Sequence, residues 1–186
     1  MSRVLKNVLS LTLVLSASTI YSEVNAGSCS GHKGVSVELT VMAPPEIAFG
    51  MVKEMRQEDP SGCKVLSSND TESLVEETFD GLPIIGKATC VYKETYSPIS
   101  TVSFNLVRSD KLKAFEGEWT FDPIDDGQHT RVKLRSYIDT GLKIPFARQI
   151  TDAASTCEVK EQIADLKKFA ESKHQKMIAG KAKQST

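Results

Sequence analysis

Little in this sequence is suited to metal or covalent chemistry. Its three histidines are scattered as His32, His129 and His174, none at triad or ligand spacing from a cysteine, aspartate or glutamate. No pair among Cys29, Cys63, Cys90 and Cys157 has the CxxC spacing of redox and zinc sites, so no metal ligands are expected. A basic excess is missing as well. The chain carries 23 Lys and Arg against 24 Asp and Glu, and setting aside Arg3, Lys6 and Glu23 leaves two more acids than bases. Nothing in that balance favours nucleic acid. No internal repeat or long low-complexity segment is present, tryptophan occurs once, and no cofactor is implied.

What is present begins with an export pattern. Arg3 and Lys6 precede an apolar stretch from Val8 to Ile20, and Val24-Asn25-Ala26 offers small or apolar residues where a signal peptidase reads. This predicts a signal peptide over 1–26 and a secreted or periplasmic protein, the apolar run being too short for a membrane span. Residues 27–34 are polar and Gly-rich and are expected to be flexible. At the other end, 173–186 is a lysine-rich tail with Lys173, Lys176, Lys181 and Lys183. It suits a solvated segment, with transient contact to an anionic membrane surface as the alternative. Asn69-Asp70-Thr71 is a sequon, though a hairpin turn is the simpler use of those residues.

Between these ends, period-two alternation dominates. Val35, Val37, Leu39 and Val41 alternate with polar residues, predicting a first strand. Ala43-Pro44-Pro45-Glu46 stops it and starts helix, with Ile47, Phe49, Met51, Val52 and Met55 as the apolar face. Strands are predicted over 63–68, 71–80, 86–96 and 101–108. Phe115, Gly117, Trp119 and Phe121 then occupy one face of a further strand, with Glu116 and Glu118 on its wet face. A turn at Asp125-Asp126-Gly127 leads into a strand through Thr130 to Leu134. After Ile144-Pro145 comes a helix with two stripes: Phe146, Ile150, Ala153 and Cys157, then Val159, Ile163, Leu166 and Ala170. A capping-box-like Ser155 and Glu158 between them predicts a bend near Ser155-Thr156.

This order of elements resembles the START-like, helix-grip superfamily, in its polyketide cyclase/dehydrase and lipid-transport branch, which includes the coenzyme Q-binding proteins. The resemblance rests on Ala43-Pro44-Pro45-Glu46 leading to Phe49, on Phe115-Glu116-Gly117-Glu118-Trp119, on Gly127 through Thr130-Arg131-Val132, and on Ile144-Pro145. It implies an α+β domain over 35–172. A curved seven-stranded antiparallel sheet would carry two short helices after its first strand and a long C-terminal helix across it. It further implies an apolar small-molecule ligand between sheet and helix.

The residues expected to face that helix and line a cavity are Leu39, Ala88, Tyr92, Phe104, Leu106, Gly117, Trp119, Phe121, Leu134, Ser136 and Ile138. Tyr92 and Ser136 would orient a polar headgroup, and the small residues Ala88, Gly117 and Ser136 would leave room. No catalytic residue is assigned. The leading expectation is therefore an exported, non-catalytic binder or carrier of a lipid-like or polycyclic molecule. A cyclase or dehydratase using Tyr92 and Glu94 is the enzyme alternative, and an interaction module with a closed pocket is the third. Four cysteines in an exported chain favour two disulfides. With the first strand beside the last, the pairing Cys29–Cys157 and Cys63–Cys90 follows. A strand intervening between Cys63 and Cys90 makes that bridge awkward, and Cys90–Cys157 is the alternative.

Overall fold

The computed structural model describes residues 28–29, 32–58 and 62–184. The signal-peptide reading of 1–26 lies outside them. A short antiparallel pair, β1 (Ser28–Cys29) and β2 (His32–Lys33), precedes the main sheet. That sheet contains β3 (Val35–Val41), β4 (Cys63–Ser68), β5 (Glu72–Leu82), β6 (Gly86–Ser97), β7 (Thr101–Ser109), β8 (Ala114–Ile124) and β9 (His129–Asp139). Its seven strands lie in the order β3-β9-β8-β7-β6-β5-β4, every neighbour antiparallel, so the first strand sits beside the last. Helix α1 (Pro45–Glu58) follows β3, and α2 (Ala147–Gln184) follows β9.

The alternation in the sequence becomes the pleat of this sheet. Along β8, Phe115, Gly117, Trp119 and Phe121 are buried while the residues between them are half-buried. Cross-strand rows carry the same face onward: Trp119 opposes Val102 and Leu134, and Phe104 opposes Glu94 and Gly117. The β8–β9 turn uses Asp125, Asp126 and Gly127 at positive φ, conformations that Asp and Gly tolerate better than most residues. Asn69 caps the β4–β5 turn through its own Oδ1, which accepts from the backbone N–H groups of Thr71 (2.9 Å) and Glu72 (2.8 Å).

Two helical expectations are corrected. A single 14-residue α1 stands where two short helices are expected. Ala48, Met51 and Val52 bury one continuous face of it, and Gly50 causes no break. Nor does α2 break at Ser155-Thr156. It runs unbroken for 38 residues, through the segment assigned to a tail. Its phase is set by Val159, Ile163, Leu166 and Ala170, all at most 3% exposed. Projecting that face back one turn at a time puts Ser155, Thr151 and Ala147 inward. The other predicted stripe, Phe146, Ile150, Ala153 and Cys157, faces solvent. The far half of α2 is pinned down. Lys173 pairs with Glu54 of α1, Lys167 Nζ donates to the Thr40 carbonyl (2.6 Å), and the Met42 N–H donates to Glu171 (2.8 Å).

The disulfide expectations are also corrected. Cys63 and Cys90 both oppose Glu77, one from each side of β5. Their α-carbons are thus two strand spacings apart, roughly 9–10 Å, beyond the reach of a bridge. Cys157 is exposed on the outer face of α2 with a free thiol, and the Cys90 thiol is free and buried. Neither Cys29–Cys157 nor Cys90–Cys157 is formed. Burial, then the nearby Glu77, Asp110 and Cys63, push the Cys90 thiol up to about 12, so it behaves as a small apolar side chain.

Candidate functional site

The concave face of the sheet is mostly filled by its own rings. Phe115 lies edge-on to Phe79 (5.3 Å between centroids) and to Tyr92 (5.2 Å), and tilted against Phe104 (4.9 Å). Gly117 is what lets Phe104 lie flat on the sheet. A Cβ there would stand 2.4 Å from Phe104 Cζ and 2.1 Å from the Arg135 carbonyl oxygen. The room expected at Gly117 for a ligand is taken by the Phe104 ring.

A void lies between this face and α2, with a volume of about 20 Å³. That is room for roughly one water, which needs about 10–15 Å³. Phe79, Phe104, Phe115, Ile138 and Val159 supply its apolar wall, and Arg56, Glu77, Ser136, Ser155, Glu158 and Gln162 its polar one. The void exists because the helix phase places Ser155 rather than a bulky side chain over the rings. Ser155 is 4% exposed, and its Oγ has no hydrogen-bond partner among the described residues.

Around the void lies a polar network that only the folded chain assembles. Arg56, from the last turn of α1, reaches Glu94 on β6 through Nε (3.3 Å) and Nη2 (3.2 Å), both to the same oxygen. The other Glu94 oxygen accepts from the Tyr96 hydroxyl at 2.6 Å. Glu94 is fully buried, so this pair and hydrogen bond are what hold its charge. One row along, the Tyr92 hydroxyl donates to Glu77 at 2.8 Å. Burial, opposed by Arg56 and reinforced by Glu77 and Glu94, pushes the Tyr92 phenol well above its ordinary range. Burial also raises the Glu158 carboxyl, with the charges of Glu77 and Glu161 adding to it.

Of the residues expected at a ligand site, Phe104, Ser136 and Ile138 border the void. Ala88, Tyr92, Trp119, Phe121 and Leu134 are buried in the surrounding core, Gly117 lies under Phe104, and Leu39 and Leu106 are half-buried at its margin. Arg56, Glu77, Ser155 and Glu158 join the site without being expected there. Glu77 had a signal: it shares the period-two face of Val75 and Phe79. Arg56, Ser155 and Glu158 had none, because helix phase is decided by packing.

No protein-family model matches the chain, and no curated protein matches it. Solved structures do. A protein from Thermus thermophilus superposes with a TM-score of 0.64 at 17% identity, over 74% of this chain and 96% of that one. The Zhui aromatase/cyclase from Streptomyces sp. R1128 gives 0.58 at 15% identity, over 78% and 95%. A STAR-related lipid transfer protein from Xanthomonas axonopodis gives 0.58 at 20% identity, over 86% and 97%. This is a START-like fold. The helix-grip arrangement, a seven-stranded antiparallel sheet under a long C-terminal helix, is thereby established for residues from Val35 onward.

Proposed function

We propose that this START-like domain binds an apolar, lipid-like or polycyclic small molecule between the sheet and the first half of α2, without catalysis. The observation that carries this reading is the void itself. It sits where an aromatic wall meets polar atoms that the fold leaves uncommitted. Entry of a hydrocarbon requires α2 and the rings beneath it to part. The helix is tied at its start by Arg148, to the Lys33 carbonyl and the Tyr137 ring, and again at its far half, and between these ties it meets the void through the small Ser155. Each methylene taken from water contributes about 0.8 kcal/mol, so affinity needs few polar contacts. The likeness to a lipid transfer protein and to an aromatase/cyclase supports the same class of ligand.

Export is part of the proposal, supported by the signal-like pattern of 1–26. Amino-terminal sequencing of protein from its own host should begin at Gly27. Native mass spectrometry and organic extraction of that protein test the binding. A co-purifying apolar molecule is the expected result. Protein that is always empty, and that leaves the emission of an apolar fluorescent probe unchanged, would leave the closed-pocket interaction module standing instead.

A second reading, an enzyme of the cyclase or dehydratase type, is favoured by one observation. Glu158, a carboxyl shifted toward its protonated form, borders the same void as Glu77. A carboxyl that holds its proton more tightly than usual, beside a second carboxyl, is equipment for acid-assisted loss of water. This reading requires the extracted ligand to be returned chemically changed by the parent protein and unchanged by Glu158→Gln.

A further inference from the structure

The polar wall of the void is unbalanced. Among the described residues Arg56 is its one fixed cation, and Glu94 engages that charge through one hydrogen bond from Nε and an ion-pair contact with Nη2. Glu77 and Glu158 border the same space, where Glu77 shares Arg56 with Glu94 and the two acids outnumber the cation left to them. Among the described residues the Tyr92 hydroxyl gives Glu77 its side-chain hydrogen bond, and Glu158 has no hydrogen-bond or ion-pair partner. The Ser155 Oγ adds an unpartnered acceptor, more than nine-tenths buried, on the same wall. Phe79, Phe104 and Phe115 border the same void and supply its apolar wall.

We infer that the apolar ligand of this site carries a protonated amine, which the void receives between Glu77 and Glu158, with Ser155 Oγ accepting a further hydrogen bond. This rests on the apolar-ligand reading and names the ligand's polar end. About 20 Å³ is room for one small polar group such as an ammonium, comparable to the roughly one probe sphere a water occupies. Burying that group between the two acids supplies the partner that Glu158 lacks and a cation that Glu77 otherwise shares with Glu94. A carboxylate headgroup would meet Glu77 and Glu158 as like charges, and Arg56 is already engaged. A hydroxyl would satisfy Ser155 but leave both acids unmatched.

The test compares decylamine, decanol and decanoate, three ligands of equal chain length, by calorimetric titration of the full chain at neutral pH. Decylamine should bind about tenfold more tightly than decanol, as a charge-assisted hydrogen bond predicts, and decanoate most weakly. In Glu158→Gln, and separately in Glu77→Gln, the amine-to-alcohol ratio should fall toward one. Circular dichroism of each variant checks that it is folded. Equal binding of all three, tightest binding of decanoate, or an amine preference that survives in both variants would overturn the ammonium assignment while leaving an apolar site in place. Absence of binding by all three would overturn the apolar-ligand reading itself.

Discussion

Replacing Gly117 with alanine tests how the concave face is filled. Gly117 sits mid-strand in β8, opposite Phe104 on one side and Ser136 on the other. In ordinary strand conformation a Gly→Ala change gains about 0.4–1 kcal/mol through the unfolded chain. Here the new methyl would meet the Arg135 carbonyl oxygen at 2.1 Å and Phe104 Cζ at 2.4 Å. The ring can swing, but the carbonyl belongs to β9, which is paired along its length with β8 and β3. Overpacking costs typically about 1–3 kcal/mol, and a clash with backbone belongs at or above the top of that range. The net loss should be about 3 kcal/mol, read as a lower urea midpoint with unchanged slope. Repeating the substitution in a Phe104→Leu background removes the ring contact but not the carbonyl, so the penalty should shrink by about 1 kcal/mol without vanishing. A loss below about 1 kcal/mol, or a penalty independent of residue 104, would refute the claim that the Phe104 ring fills the space above Gly117.

The remaining predictions concern the core, the buried pair and the acid at the void. Trp119 is 2% exposed, so native emission should lie to the blue of the unfolded chain, and Trp119→Ala should cost about 3–5 kcal/mol by thermal or urea unfolding. Arg56→Met leaves Glu94 buried with only the Tyr96 hydroxyl; it should cost about 3–5 kcal/mol, and Arg56→Met with Glu94→Gln should recover most of it. Glu158 has its folded-state carboxyl raised above the ordinary glutamate value, so the folded state binds its proton more tightly than the unfolded one. Its contribution is therefore not adverse below the ordinary glutamate range. Stability falls as pH rises through the raised value, because the folded state must then ionise against burial and Glu77. Urea midpoints measured from acid to neutral pH should show Glu158→Gln gaining on the parent as pH rises, and a gap that is constant or shrinks would contradict the shift.

Strands are the legible part of this protein, and the reason is local. A strand with one buried face must alternate, so Val35 to Val41, Gly86 to Tyr96 and Phe115 to Phe121 declare both their conformation and their inward side. Alternation alone places Tyr92, Phe104 and Trp119 in the interior, where the fold has them. Turn residues such as Asn69 and Asp125-Asp126-Gly127 are legible for the same reason, since their preferences act within a few bonds. Helix phase is not local in that way. The sequence offers α2 two stripes, and only packing against β3, β9 and α1 selects the one through Val159 and Leu166, sending Phe146 to solvent and Ser155 inward. Bridging distances are likewise decided across strands, and β5 between Cys63 and Cys90 keeps that pair apart. The candidate site belongs to this second category. Arg56, Glu77, Ser155 and Glu158 come from a helix end, a strand and another helix, and they meet only because the sheet curves beneath α2. Whether a small residue opens a cavity or seats a neighbouring ring is settled there too, as Gly117 under Phe104 demonstrates.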